Sequence, residues 1–139
     1  MTSVLVLCTG NSCRSQMAEG FLNTYPGISA ESAGVEPASA VHPLAIRVMQ
    51  EVGIDISSHH PKDVGEFLGR EFNFAITVCD NARERCPIFP MPPHRTLHMP
   101  FLDPVHATGT VDEQLNVYRT VRDQIAVAMK EFVASIAAS

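Results

Sequence analysis

The chain has 139 residues, of which 45% are hydrophobic and 18% charged, with a formal net charge of −5 at pH 7. That length suits a single domain, residues 1–139, with a buried core, and the hydrophobic share excludes a disordered chain. An acidic balance with no basic face argues against nucleic acid as a partner and gives an anionic substrate no long-range pull, so such a substrate must be held by local donors.

In chain order, Ser3–Leu7 reads as a buried central strand of a parallel sheet. Residues 8–13 form a tight loop, and Arg14–Thr24 reads as a helix with Met17, Ala18, Phe21, Leu22 and Tyr25 on its apolar face, stopped by Pro26-Gly27. Ile28–Ala33 is a second strand, followed by a loop to Val41. His42-Pro43 opens a helix that runs to about Val52, and Gly53 closes it. Ile54–Ser57 connects to a weakly helical stretch, Lys62–Gly69. Phe72–Val78 is the next strand. Cys79–Arg85 is short and polar, with room for one or two helical turns. Residues 86–93 hold four prolines and are irregular. Thr96–Phe101 is the last strand, ending at Asp103-Pro104. Val111 to about Ala137 is a long amphipathic helix, with Val111, Leu115, Tyr118, Val121, Ile125, Met129, Phe132 and Ile136 recurring at three and four. Strands alternating with helices give a three-layer α/β fold around a parallel sheet.

No charged-then-apolar leader opens the sequence and no apolar run is long enough to span a bilayer, so the expected place is the cytoplasm, with no membrane partner. In that compartment four cysteines suit catalysis, redox chemistry or metal binding better than a fixed disulfide framework.

The chemistry gathers first in Cys8-Thr9-Gly10-Asn11-Ser12-Cys13-Arg14-Ser15. In a loop between a strand end and a helix start, backbone N–H groups turn inward and make a nest for an anion, and the helix N-terminus adds donors and a positive dipole end. Arg14 offers a planar fork for two oxygens of a tetrahedral oxyanion. Cys8 at the mouth of that field is expected to be a thiolate near neutral pH, with the Ser15 hydroxyl as its donor. The alternative is a buried strand-end thiol beside a surface arginine.

A second group is Cys79 and Cys86. Cys79 ends a strand parallel to the one ending at Cys8, so both sulfurs lie at the same edge of the sheet. A hydrolase has no use for further thiols there. A reductase does, because it must supply two electrons and carry the oxidation away as a disulfide. The alternatives are a buried strand-end Cys79 with an incidental Cys86, or a zinc site of Cys79, Cys86, His94 and His98, whose cysteine spacing is long and whose histidines are set off from Cys86 by prolines. His42, His59, His60 and His106 read as surface or helix-cap residues. Asp103 before Pro104 reads, from its residues alone, as a turn aspartate.

The first loop resembles the phosphate-binding loop of the low-molecular-weight protein tyrosine phosphatases, Cys-x5-Arg-Ser/Thr. The longer string from Cys8 through Gln16-Met17-Ala18-Glu19-Gly20 is similar to one branch of that superfamily, the thioredoxin-coupled arsenate reductases. The resemblance covers essentially the whole chain. It implies four parallel strands flanked by helices and an oxyanion loop made of Thr9, Gly10, Asn11, Ser12, Cys13 and Arg14. It further implies a thiol cascade in which Cys8 attacks arsenate, Cys79 attacks Cys8 and releases arsenite, and Cys86 attacks Cys79. The Cys79–Cys86 disulfide then goes to thioredoxin. No tightly bound cofactor is implied, and phosphate and sulfate would compete with arsenate.

Asp103 matches the family's general acid, and Ser15 its thiolate donor. Asn11, Glu19 and Ser32 match positions that in some relatives also shape a monovalent cation site. Those relatives continue with a threonine and an aspartate where this chain reads His59-His60-Pro61-Lys62-Asp63, so Lys62 could supply the positive charge instead. The alternative reading is a low-molecular-weight phosphatase that hydrolyses phosphate monoesters. Its usual aromatic wall is absent, because Asp103-Pro104 is followed by Val105-His106-Ala107.

Overall fold

The computed structural model describes residues 1–80 and 87–137. Four strands, β1 (Thr2–Cys8), β2 (Ile28–Gly34), β3 (Phe74–Thr77) and β4 (Thr96–His98), form one parallel sheet in the order β2-β1-β3-β4. Three α-helices accompany it: α1 (Arg14–Leu22), α2 (Pro43–Gln50) and α3 (Val111–Ala137). The expected parallel sheet flanked by helices is the observed fold.

β1 is central because it is apolar on both faces. Val4, Leu5, Val6 and Leu7 are all fully buried, and each such side chain is worth about 1.5–3 kcal/mol against exposure. Alternation divides them. Val4, Val6 and Cys8 join the larger core with Met17, Met49, Leu115, Ile125 and Met129 from the helices. Leu5 and Leu7 join a smaller core with Ala33, Phe67, Phe72, Ala75 and Phe89. α3 meets the larger core along most of the stripe its periodicity announces, with Leu115, Tyr118, Val121, Ile125, Met129 and Phe132 buried and Ile136 partly so, while Val111 in the first turn is exposed. Thr110 and Glu113 cap its start reciprocally: Glu113 N–H donates to Thr110 Oγ1, and Thr110 N–H to Glu113 Oε1, both at 3.1 Å.

Several expected elements differ in extent. α1 is not amphipathic: Arg14, Ser15, Gln16 and Glu19 are buried along with Met17, Ala18 and Leu22. Its polar side has no solvent to face, because it is occupied by the loop before it and by residues 59–62. β3 is shorter than residues 72–78 because Phe72 leaves the sheet to pack between Phe67 and Phe89, at centroid distances of 6.1 and 5.9 Å. β4 stops at His98, yet Met99 and Phe101 N–H still donate to Thr77 and Val78 carbonyls, holding the chain beside the end of β3 as far as Phe101. The weak helix over 62–69 is a 3₁₀ turn, Val64–Phe67, capped by Asp63 and Glu66. The possible helical turns of Cys79–Arg85 run into residues 81–86, outside the described residues. Among the described residues no helix is long and apolar enough to cross a membrane.

Candidate active site

The loop between β1 and α1 is laced from outside through its carbonyls. Glu36 N–H donates to Thr9 O at 2.9 Å, Ala38 N–H to Gly10 O at 2.9 Å, and His42 N–H to Ser12 O at 3.0 Å. In a trans peptide the C=O and the following N–H point oppositely. The amides of Gly10, Asn11 and Cys13 therefore turn toward the pocket, and Asn11 N–H indeed reaches Cys8 Sγ at 3.1 Å. α1 has no side-chain cap and no acid in its first turn, which leaves its N-terminal donors and dipole for an anion.

Asn11 holds the loop from below. Its φ of 52° lies in the left-handed region that asparagine tolerates better than most residues. Its Oδ1 accepts from Lys62 N–H at 2.9 Å and from Gln16 Nε2 at 3.1 Å. Its Nδ2 donates to Ser15 Oγ at 2.7 Å and to Ser32 Oγ at 2.9 Å, and Ser32 in turn donates to Glu19 Oε1 at 2.8 Å. Ser15 Oγ, which accepts from Asn11, lies 2.8 Å from Cys8 Sγ and can donate its hydrogen to the sulfur once Cys8 is ionised.

Cys8 is 2% exposed. Burial pushes its thiol above the ordinary value, while the Ser15 hydroxyl, the Arg14 guanidinium and the Asn11 amide pull it down without prevailing. This corrects the expectation of a resting thiolate. The loop closes over the sulfur, and Arg14 shares its charge: Arg14 Nη2 lies 3.3 Å from Asp103 Oδ2, and Nη1 donates to Phe101 O at 3.2 Å. Arg14 itself is 2% exposed, which removes the surface-arginine alternative.

Asp103 serves two purposes. Its Oδ1 accepts from Val105 N–H at 3.1 Å and starts a 3₁₀ turn, as a turn aspartate should, while Oδ2 faces Arg14 and the pocket. The pocket, about 360 Å³, is lined by residues 8–14 of the loop together with Glu36, Asp103, Val105 and His106. No aromatic side chain lines it among the described residues. Gln16, Glu36, Val105 and His106 were not singled out as site residues from sequence. Only the i+3 spacing of His106 from Asp103 carried a signal, and it was weak.

Cys13 is a packing residue, 3% exposed. Burial pushes its thiol up to about 11, and it lies against Tyr118, with Sγ 3.7 Å from Oη. Cys79 follows β3 directly beside the end of β1, where Val78 N–H donates to Leu7 O at 2.9 Å, and its side chain joins the same core as Cys8. Cys79 is disulfide-bonded, whereas Cys8 and Cys13 are free thiols. Cys86 lies outside the described residues. The zinc alternative loses Cys79 to its disulfide, and His98 Nδ1 is engaged with Thr77 Oγ1 at 2.8 Å. At the cation position of some relatives, Lys62 Nζ lies 3.8 Å from Glu19 Oε1 and His59 Nδ1 3.1 Å from Oε2, so this chain brings its own basic groups to that carboxylate.

A cysteine under an amide nest, an arginine fork and an opposed aspartate on a four-stranded parallel sheet define a class of oxyanion enzymes. The chain belongs to the low molecular weight phosphotyrosine protein phosphatase family, whose model matches residues 3–139. Within that family its relatives include arsenate reductases. The one from Halalkalibacterium halodurans is 42% identical over 131 residues, 93% of each chain. A solved arsenate reductase in its phosphate-binding state aligns with a TM-score of 0.75 at 33% identity, covering 98% of this chain and 99% of that one. A thioredoxin-dependent arsenate reductase from Corynebacterium glutamicum aligns with a TM-score of 0.67 at 27% identity, covering 98% of this chain and 62% of that one.

Proposed function

We propose that this chain reduces arsenate to arsenite and draws the two electrons through its own cysteines from thioredoxin. The observation that carries this reading is Cys79. It is a further cysteine beside the anion loop, engaged in a disulfide while Cys8 and Cys13 are free. Phosphate ester hydrolysis would need Cys8 alone.

Arsenate sits on the inward amides of the loop with two oxygens on the Arg14 fork. The Cys8 proton passes to an oxygen of the incoming dianion, the strongest base then in the site. Cys8 Sγ forms a bond to arsenic, and one As–O bond breaks. The departing oxygen takes a proton from Asp103 and leaves as water. Cys79 then attacks Cys8 Sγ. A sulfur–sulfur bond forms, the S–As bond breaks with its electron pair on arsenic, and arsenite departs. Cys86 attacks Cys79, Cys8 leaves as a thiolate, and a Cys79–Cys86 disulfide remains for thioredoxin to reduce. The sequence of steps consumes two electrons from two thiols and needs no tightly bound cofactor. Phosphate and sulfate compete for the same donors. A compartment that keeps thiols reduced, the cytoplasm, suits the cycle.

The test is arsenate-dependent NADPH oxidation with thioredoxin and thioredoxin reductase, run beside glutaredoxin with glutathione. Turnover only in the first system is expected. No arsenate-dependent oxidation in either, with steady hydrolysis of a phosphotyrosine peptide, would overturn the reading in favour of a phosphatase.

A further inference from the structure

Asp103 presents a difficulty for the proposed reaction, on which this inference rests. Its Oδ2 is ion-paired with the Arg14 guanidinium, 3.3 Å away. To protonate a departing oxygen it must first acquire a proton, and do so again in every cycle. The groups facing Asp103 from each neighbouring element can be taken in turn. From the loop and α3, Cys13 and Tyr118 are both pushed up by burial and hold their protons. From the start of α2, His42 is pushed down by burial, and its Nδ1 already accepts from Leu44 N–H. From α1, Arg14 never releases a proton near neutrality. Glu36 also lines the pocket, with its N–H on the Thr9 carbonyl. Val105 N–H occupies Oδ1.

His106 remains. It sits one 3₁₀ turn after Asp103, with Nε2 3.8 Å from the same Oδ2, its side chain 83% exposed to water and lining the pocket mouth. Imidazole takes up and gives up protons in the neutral range. The gap is about an ångström longer than a hydrogen bond. Rotation of an exposed side chain or one bridging water closes it.

We propose that His106 is the proton reservoir of the site. In this relay a protonated His106 imidazole is the donor and the Asp103 carboxylate the acceptor. An oxyanion entering beside Oδ2 makes a second negative charge there costly, and the proton moves from His106 Nε2 to Asp103 Oδ2. Asp103 gives it to the departing oxygen and becomes a carboxylate again. His106 is recharged from bulk water and reloads it. No electrons move in this relay; one proton travels from solvent to the water that leaves. His106 is thus a positioning residue for a proton, acting through Asp103.

The experiment measures single-turnover arsenite release between pH 6 and 9 for wild type, His106→Gln and His106→Arg, with and without added imidazole. His106→Gln should lose about tenfold in rate at the acidic end, where an imidazole carries a proton, and little at pH 9, less than a full general acid contributes. Its arsenate KM should stay within about twofold, and imidazole should restore the rate. His106→Arg should be as slow as His106→Gln and should not be rescued. A wild-type rate in His106→Gln, a wild-type rate in His106→Arg, or no rescue by imidazole would each overturn the proposal. A second arm does not depend on arsenate chemistry. Inorganic phosphate should shift the His106 imidazole NMR signals toward the neutral form at constant pH in wild type, and not in Asp103→Asn. Absence of that shift overturns the relay even if the protein proves not to reduce arsenate.

Discussion

Arg14 is aimed before any anion arrives. Nη1 is on the Phe101 carbonyl and Nη2 on Asp103, so the guanidinium plane is fixed at the loop mouth. Lysine keeps the charge but is a single point donor and cannot hold both contacts and two substrate oxygens. Arg14→Lys should therefore lower single-turnover arsenite release by ~10²–10³, the cost of one preorganised oxyanion donor. Circular dichroism would confirm that the variant is folded, and a wild-type rate in that folded protein would remove Arg14 from the site. Ser15 carries a pH prediction. The Cys8 thiol is pushed up by burial and pulled down by Ser15, so its thiolate grows only as pH rises past the ordinary thiol range. Ser15→Ala removes a group that favours the thiolate, and the curve of Cys8 alkylation by iodoacetamide against pH should move to higher pH. A curve that stays put, or moves to lower pH, would show that Ser15 does not stabilise the sulfur's charge.

Among the elements, the fit of β2 against the loop is the tightest. Gly34 ends β2 beside Cys8, and a methyl group there would collide with the Thr9 carbonyl oxygen. Gly34→Ala should cost about 1–3 kcal/mol, the usual range for forcing a methylene into a filled space. Phosphate affinity should fall with it, because the shift falls on the loop. Thermal melts and isothermal titration check the two together, and a melting temperature and affinity both equal to wild type would mean the loop yields without consequence. That contact could not be read from the sequence, where Gly34 is only a loop opener. The elements that could be read share a cause: β1 and α3 have periodicities that report burial directly. α1 was misjudged because its polar residues Gln16 and Glu19 are buried by partners distant in sequence, chiefly residues 59–62. The same distance hid the state of Cys8. A motif names the donors to a sulfur, while the desolvation that outweighs them depends on how the whole loop closes.

At the scale of the whole molecule, sheet order decides which thiols can meet. β1 and β3 are neighbours, and adjacent strands lie about 4.8 Å apart. A disulfide needs Cα atoms within about 7 Å. The ends of these strands, tied by the Val78–Leu7 hydrogen bond, are thus close enough for Cys8 and Cys79 to pair with little backbone movement. Cys79 is fully buried in its disulfide-bonded state, so a protein reductant cannot attack that sulfur directly. The oxidation must therefore pass on to a thiol further along the chain before thioredoxin can act, which is the part assigned to Cys86. Two variants separate the steps. Cys86→Ser should release one equivalent of arsenite and stop, with a Cys8–Cys79 disulfide found by peptide mapping. Cys79→Ser should form no such bond and release little arsenite, because nothing else attacks the arsenylated Cys8. Cys13 is the competitor to watch: it is free, lies in the same loop and feels the charge of Cys8, yet burial keeps its thiol protonated up to about 11. Continued turnover of Cys86→Ser with thioredoxin, or Cys8–Cys13 as the main disulfide after one turnover of wild type, would mean that the electrons leave by another route.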